Sequence, residues 1–283
     1  MELLIENSPQ TVEQRRIDFA NYDGSFPVQM IQGHKIYVQP GCKTSETYFV
    51  FRRQHIKELV ALARLDFQLH PQYQEILAGG GRGGLAVDVG ANVGYVASWL
   101  ATRPDVAEVV AIEPNPAARA ILDLNASLHG KIVVDHRILG AKDGNRSLHI
   151  YESSGWSSAL KLNTQETIRT IKCEQIALDA LLKHKHPLFI KIDVQGAESD
   201  VLLGGLETIE RCRPIIWLEY TPEDVGSSRS ALEEVFLEAM KSAKLECFSI
   251  SEDGSLILIS DEGLASFSGD LLMIPEGMPI RNT

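Results

Sequence analysis

The sequence has no run of about 18 consecutive apolar residues, the least that a membrane-spanning helix requires. It begins Met1-Glu2-Leu3-Leu4-Ile5-Glu6-Asn7, with no basic segment leading into an apolar one, so no secretory signal is expected. Its four cysteines, Cys42, Cys173, Cys212 and Cys247, stand far apart and form no C-x-x-C pair. That spacing argues against a disulfide framework or a zinc site and suits reduced structural thiols in a cytoplasmic chain. An excess of basic charge is also missing. The 27 Lys and Arg residues against 38 Asp and Glu give a net charge of −11, the wrong sign for a nucleic-acid footprint. Internal repeats and low-complexity tracts are absent. What is there is ordinary globular composition, 44% hydrophobic and 23% charged. The 283 residues can bury a sizeable core as one large domain or two small ones.

The sharpest break along the chain is Gly79-Gly80-Gly81-Arg82-Gly83-Gly84, which suits neither helix nor strand. It divides the chain into an N-terminal accessory segment (1–78), a glycine-rich linker (79–84) and a main domain (85–283). In the accessory segment His34–Val38 predicts a strand. Ile56, Leu59, Val60, Ala63 and Phe67 share one helical face, and His70-Pro71 ends or bends that helix. Beyond the glycines, strand and helix signals alternate. Leu85–Val89, Glu108–Ile112, Lys131–Val134, Leu188–Ile192 and Ile215–Leu218 are short apolar runs, as expected of strands buried on both faces. Helical spacing follows most of them, and late strands are expected near 245–250, 255–260 and Leu271–Ile274. The polar stretch 145–175 reads as an inserted β-hairpin, and Leu178–Leu182 as a short helix. The pattern predicts an α/β, mainly parallel doubly wound sheet, whose ligands sit at the carboxyl ends of the strands.

The first such end reads Asp88-Val89-Gly90-Ala91-Asn92-Val93-Gly94. Gly90 permits a sharp turn, Gly94 a close helix start, and the helix N-terminus offers free N–H groups. A glycine turn alone is weak. Its companion is Glu113, which ends the next strand about 20 residues further on, where an acid can accept hydrogen bonds from ribose hydroxyls. Residue 92 is Asn92 where a dinucleotide fold has its middle glycine, and Asp88 would repel a diphosphate. A cofactor with ribose and an amino group but no phosphate fits better, which points to S-adenosylmethionine.

Three stretches together resemble the FkbM family of S-adenosylmethionine-dependent methyltransferases: Asp88-x-Gly90-x-Asn92-x-Gly94, Glu113-Pro114-Asn115, and Phe189-Ile190-Lys191-Ile192-Asp193-Val194-Gln195-Gly196-Ala197-Glu198. The resemblance spans roughly residues 85–275, and the third stretch is its most specific part. It implies a Rossmann-like class I methyltransferase that binds S-adenosylmethionine through Asp88, Gly90, Asn92, Gly94, Tyr95, Glu113, Pro114 and Asn115, with Gly140 and Ala141 beside the adenine. The family often has Glu where this chain has Gln195.

The reaction centre is expected around Asp193, an acid that closes an otherwise apolar strand and so needs a partner or a task. A salt bridge to Lys191 reads as geometrically poor, with one of the two side chains pointing inward. Glu219 and Tyr220 end the next strand in the same manner. Asp193 and Glu219 are the catalytic candidates. Trp156, Ser157, Gln195, Glu198 and Tyr220 are the candidates for contact with the acceptor. Two of these have plainer roles open to them: Glu198 as a cap in the first helical turn, and Trp156 as a ring packed beneath the hairpin. His184-Lys185-His186 reads as a solvated turn, and no metal is expected, because spacing offers Asp193 no second ligand.

The resemblance implies O-methylation of a sugar or of a polyketide-like secondary metabolite. The expected partner is a small-molecule or glycan hydroxyl acceptor; a homodimer is compatible with the sequence. Two other readings stay open. One is an NAD-dependent oxidoreductase on a similar sheet, against which the missing middle glycine counts. The other is a catalytically silent binding module, against which the intact Asp88, Gly90, Gly94, Glu113 and Asp193 count.

Overall fold

A computed structural model describes residues 28–31, 34–37, 56–151, 157–159, 167–221, 229–264 and 266–280. The strands β1 (Val28–Ile31) and β2 (His34–Tyr37) pair antiparallel. Helix α1 (Ile56–Arg64), a 3-10 turn (Phe67–Leu69) and α2 (Tyr73–Ala78) then lead to the glycine stretch, whose last member, Gly84, already begins β3. The main succession is β3 (Gly84–Val89), α3 (Tyr95–Thr102), β4 (Val106–Ile112), α4 (Pro116–Leu128) and β5 (Ile132–Asp135). After four strands of a second sheet come α5 (Leu178–Leu181), β10 (Pro187–Ile192), α6 (Glu198–Leu203), α7 (Leu206–Cys212) and β11 (Ile215–Tyr220). The chain continues through α8 (Arg229–Ala243), β12 (Leu245–Ile250), β13 (Leu256–Leu258), α9 (Asp261–Leu264) and β14 (Gly269–Pro275).

The eight-stranded sheet has the order β13-β12-β14-β11-β10-β3-β4-β5. The neighbours from β11 to β5 are parallel, and β14 enters antiparallel between β11 and β12. This is a Rossmann-like α/β architecture with a mainly parallel sheet. The strand order reverses between β3 and β10, so the loops after those two strands face each other at the switch point, where such sheets bind ligands. The five predicted core strands are β3, β4, β5, β10 and β11, each within two residues of its predicted ends.

Side-chain alternation splits the core into two layers. Val87, Val89, Ile190, Ile192, Leu218 and Tyr220 pack on one face under α6, α7 and α8. Ala86, Phe189, Trp217, Phe248 and Leu272 pack on the other, under α1, α3 and α4. Of the stripe predicted at Ile56, Leu59, Val60, Ala63 and Phe67, Leu59 and Phe67 are buried against the sheet, but Val60 is half-buried and Ala63 exposed, and Leu62 and Leu65 are buried instead; Phe67 stacks on Phe189 with centroids 5.6 Å apart. Arg103 clamps this stretch, donating to the carbonyls of Leu62 (3.2 Å) and Leu65 (2.9 Å) while paired with Asp105 at 2.6 Å. The accessory segment and the sheet thus share one core from residue 56 onward.

The expected inserted hairpin is larger than a hairpin. β7 (Gly144–Tyr151) and β9 (Thr167–Ile176) form its antiparallel ladder, flanked by β8 (Ser157–Ser158) and by β6 (Ile138–Leu139), which runs parallel to β9. The two extra strands are two residues each, too short to carry a periodic signal. Among the described residues, no helix is long and apolar enough to cross a membrane.

Candidate active site

Four strand ends meet on the face under α1 and α3. Asp88 in β3 and Trp217 in β11 flank Lys191 in β10 as direct register partners, and Glu219 lies opposite Asp270 of β14. Lys191 is buried, and its ammonium lies 2.8 Å from an oxygen of Asp193, 3.8 Å from Asp88 and 5.5 Å from the centre of the Trp217 ring. The ion pair that looked geometrically poor in the sequence is therefore made. Residues two apart on a strand share a face, and the long lysine stem bends along it toward the strand end. Burial opposes the charge on Lys191, but Asp193 and Asp88 outweigh it and hold the ammonium above its ordinary range.

Gln195, in the loop after β10, has a left-handed backbone (φ 56) and turns its amide between two acids. One Nε2 donates to Asp193 at 2.8 Å and to Glu219 at 2.9 Å. A glutamate at 195 would add a third carboxyl here, whereas the amide supplies hydrogen. Glu219 is pushed up to about 10, first by the neighbouring Asp193 and then by burial. The Lys191 ammonium, 2.8 Å from Asp193, favours negative charge on Asp193 over Glu219.

The two nucleotide-side loops are tied together by Glu113. Its Oε2 accepts from Asn92 N–H and its Oε1 from Asn115 N–H, both at 2.8 Å. Burial pushes this carboxyl up to about 7. Asn115 in turn caps α4, its Oδ1 accepting from Ala117 N–H at 3.1 Å, with Pro116 as the first helical residue. Gly90 has φ 76, and a Cβ there would lie 1.8 Å from the Asp193 carbonyl oxygen, so only glycine lets the two switch-point loops touch. Gly94 is also left-handed (φ 86), but its missing Cβ makes room for Leu122 of α4, 2.6 Å away. Its closeness serves helix packing.

Asp88 is fully buried, neither of its oxygens has a hydrogen-bond partner at ordinary distance among the described residues, and burial pushes it up to about 6 against the pull of Lys191 and of the Ala97 N–H. The buried Oδ1 of Asn92 also has no hydrogen-bond partner among the described residues. Unmet acceptors of this kind at a switch point suit a ligand rich in hydroxyl and ammonium hydrogens.

The other predicted residues are distributed as follows. Glu198 is fully buried, and its Oε1 accepts from the N–H groups of Val194 and Gly196, both at 3.1 Å, so it ties down the loop before α6, whose own N-cap, Ala197, makes no side-chain cap bond. Burial raises Glu198 to about 7. Tyr220 is buried on the opposite face, its ring centre 5.4 Å from that of Phe236, so the structure separates it from Glu219. Adjacent strand residues point to opposite faces, and the sequence reading had placed the two together. Gly140 and Ala141 follow β6 in a turn packed on Gly204, whose Cβ would come 2.1 Å from the Gly140 oxygen. Tyr95, the first residue of α3, is half-buried; burial and then Glu58 raise it to about 12. Pro114 links Glu113 to the α4 cap, and Trp156 lies outside the described residues. Ser157 is half-buried in β8, but its neighbour Ser158 makes the contact, donating from Oγ to the Gln195 carbonyl at 2.8 Å. Arg146 of β7 pairs with Asp200 of α6, so the inserted sheet is fastened beside the loop after β10. Lys191, Ser158 and Asp270 were missed as site residues. Lys191 could have been found by taking the two-residue strand period at face value. Among the described residues, no cluster of three or more His, Cys, Asp or Glu could hold a metal ion.

Three solved structures show the range of likeness. The FkbM methyltransferase from Methylobacillus flagellatus KT is 15% identical with a TM-score of 0.45, covering 81% of this chain and 60% of its own. TYW2 from M. jannaschii in complex with AdoMet is 13% identical at 0.43, covering 88% and 86%. The precorrin-6y C5,15-methyltransferase from Geobacter metallireducens GS-15 is 9% identical at 0.39, covering 88% and 97%. The chain thus spans 60% of the length of the Methylobacillus protein. No curated protein matches the sequence. The methyltransferase FkbM domain, by contrast, matches residues 88–245, more than half of the chain and the whole stretch from Asp88 through Asp193 and Glu219. The chain belongs to the FkbM methyltransferase family.

Proposed function

We propose that the protein is an S-adenosylmethionine-dependent O-methyltransferase acting on a hydroxyl of a sugar or a polyketide-like acceptor. The observation that carries this reading is the meeting, inside the family-matched region, of Asp88 and Glu113 with the Asp193–Glu219 pair at one switch point. S-adenosylmethionine fits the donors and acceptors present. Asp88 and the Asn92 amide oxygen have unmet acceptor capacity for ammonium and hydroxyl hydrogens. Each Glu113 oxygen already takes one backbone hydrogen and keeps a lone pair for a ribose hydroxyl. Gly140 and Ala141 are proposed to border the adenine. When bound, the cofactor supplies a methyl group made electrophilic by its sulfonium.

The chain's own work is to orient the acceptor and take its proton. Asp193 carries the charge of the carboxyl pair and can accept the hydroxyl proton. Glu219, which keeps its proton near neutral pH, can donate a hydrogen bond to the acceptor or to Asp193. Gln195 fixes the distance between them, and Ser158 holds the Gln195 backbone from the inserted sheet. Such alignment is worth effective molarities of about 10⁵–10⁸ M, against about 10²–10⁴-fold for a general base, so the fastening of the loop matters at least as much as proton removal.

Isothermal titration tests the reading. S-adenosylmethionine and S-adenosylhomocysteine should each bind saturably and NAD should not. Saturable NAD binding with silent S-adenosylhomocysteine would return the oxidoreductase reading.

A further inference from the structure

The face that carries Lys191 and Glu219 continues across β14 to the N-terminal helix. Asp270 lies directly opposite Glu219 in the antiparallel ladder, where side chains stand about 4.5–5.5 Å apart at Cβ. Its Oδ1 accepts from the Trp217 indole at 2.7 Å, and Trp217 is the ring beside Lys191. From above comes Glu58 of α1, buried to 1% exposure and interacting with the Asp270 carboxyl. Lys57 lies 3.9 Å from Glu58. Helix α1 is held over this edge by the turn after β12: a Cβ at Gly254 would lie 2.7 Å from Val60 and 3.0 Å from the Lys57 carbonyl.

We propose that Asp270 is a positioning residue of the reaction centre: fixed by Trp217 and met by Glu58 from the N-terminal helix, it keeps the proton of the neighbouring carboxyl pair on Glu219 and the charge on Asp193. The functional meaning rests on the methyltransferase reading above; the proton placement itself does not. The groups facing Glu219 are Asp193 and Lys191 from β10 and its following loop, Gln195 from the same loop, Glu198 from α6 and Asp270 from β14. Those facing Glu58 are Asp270, Lys57 and Tyr95. Lys191, the cation among the groups facing Glu219, sits against Asp193, 2.8 Å away. Asp193 is thus the cheapest place for the negative charge. A carboxylate at 270, across the ladder, makes charge on Glu219 costlier still. The same arrangement gives α1 a task in the site: among the described residues, Asp270 is met by Glu58 as well as by Trp217.

The test is a carbon-13 titration of full-length protein labelled at the glutamate carboxyls. The Glu219 and Glu58 signals are assigned by their loss in Glu219→Gln and Glu58→Gln. In the wild type the Glu219 signal should titrate well above neutral pH. In Asp270→Asn, which keeps an acceptor for the Trp217 indole, its midpoint should fall by about one unit or more, and the Glu58 midpoint should fall with it. Asp270→Ser gives the same reading if the Asn variant does not fold. In Glu58→Gln the Glu219 midpoint should not fall, since the amide can donate to a charged Asp270. A Glu219 midpoint unmoved in a folded Asp270 variant overturns the proposal, as does a wild-type Glu219 that titrates in the ordinary carboxylate range. S-adenosylhomocysteine titration of the same wild-type sample separates the two readings. Binding with no NMR shift sinks this inference alone; a shift without binding sinks the methyltransferase reading alone.

Discussion

Lys191→Met removes one charge from the centre of the site and leaves the packing nearly intact, because an unbranched side chain of similar length can still cover Trp217. Two carboxylates lose their counter-ion: Asp193, at 2.8 Å, and the fully buried Asp88, at 3.8 Å. Removing one partner of a buried ion pair costs about 3–5 kcal/mol, chiefly because the other charge is left uncompensated. Part of that cost can be relieved by proton uptake, and this makes it depend on pH. The folded Asp88 titrates at about 6, above its ordinary 3.8, so its contribution favours the fold at low pH and is lost as pH rises through 6. Lys191 lowers that midpoint in the wild type, so in the variant it moves higher. Above pH 6 the folded variant then holds a proton that the folded wild type has released. The stability gap should widen by about 1.4 kcal/mol per pH unit, reaching about 3–5 kcal/mol at pH 8 and falling to about 2–3 kcal/mol less at pH 6. Urea unfolding of both proteins at pH 6, 7 and 8 measures it. A gap under about 1 kcal/mol at pH 8, or one that does not change with pH, would refute the central place given to Lys191.

Asp193→Asn should leave S-adenosylhomocysteine affinity within about threefold and lower turnover by about 10²–10⁴, or roughly 3–5 kcal/mol; affinity lost with turnover kept would instead make Asp193 a cofactor ligand. Gly94→Val should destabilise the fold by about 1–3 kcal/mol or more, because the new side chain meets Leu122 and the left-handed backbone disfavours it; a variant with wild-type melting would refute this. His70, buried with Nε2 on the Arg213 carbonyl (2.9 Å) and Nδ1 accepting from Gln72 N–H (3.2 Å), is pulled down to about 4 by burial. Its folded midpoint lies below the unfolded 6.5, so its contribution is complete above 6.5 and is lost as pH falls toward 4, a change of roughly 3 kcal/mol. His70→Gln should flatten that part of the stability profile, and an unchanged slope in urea titrations would count against it.

The sequence by itself determined the elements and the edge of the sheet that matters. Apolar runs such as Leu85–Val89 and Leu188–Ile192 can only be strands buried on both faces, because no amphipathic pattern interrupts them. The acids that close them, Asp88, Glu113, Asp193 and Glu219, were legible as candidate site residues, because polar groups at the ends of buried strands need partners. The pairings among them were not legible. Local pattern places a residue on a face and at an end, but which strand lies beside which is set by packing across the whole sheet. Only the tertiary structure set β3 against β10 and so brought Lys191 to Asp88. It also placed the antiparallel β14 against β11, so that Asp270 faces Glu219. It separated Tyr220 from Glu219, because strand neighbours point to opposite faces, and it packed Gly94 closely against Leu122 of α4. Residue 56 onward joined the core for the same reason: a helical stripe carries no address, and Leu59, Leu62 and Phe67 found theirs against Phe189 and the far strands only once the sheet had formed.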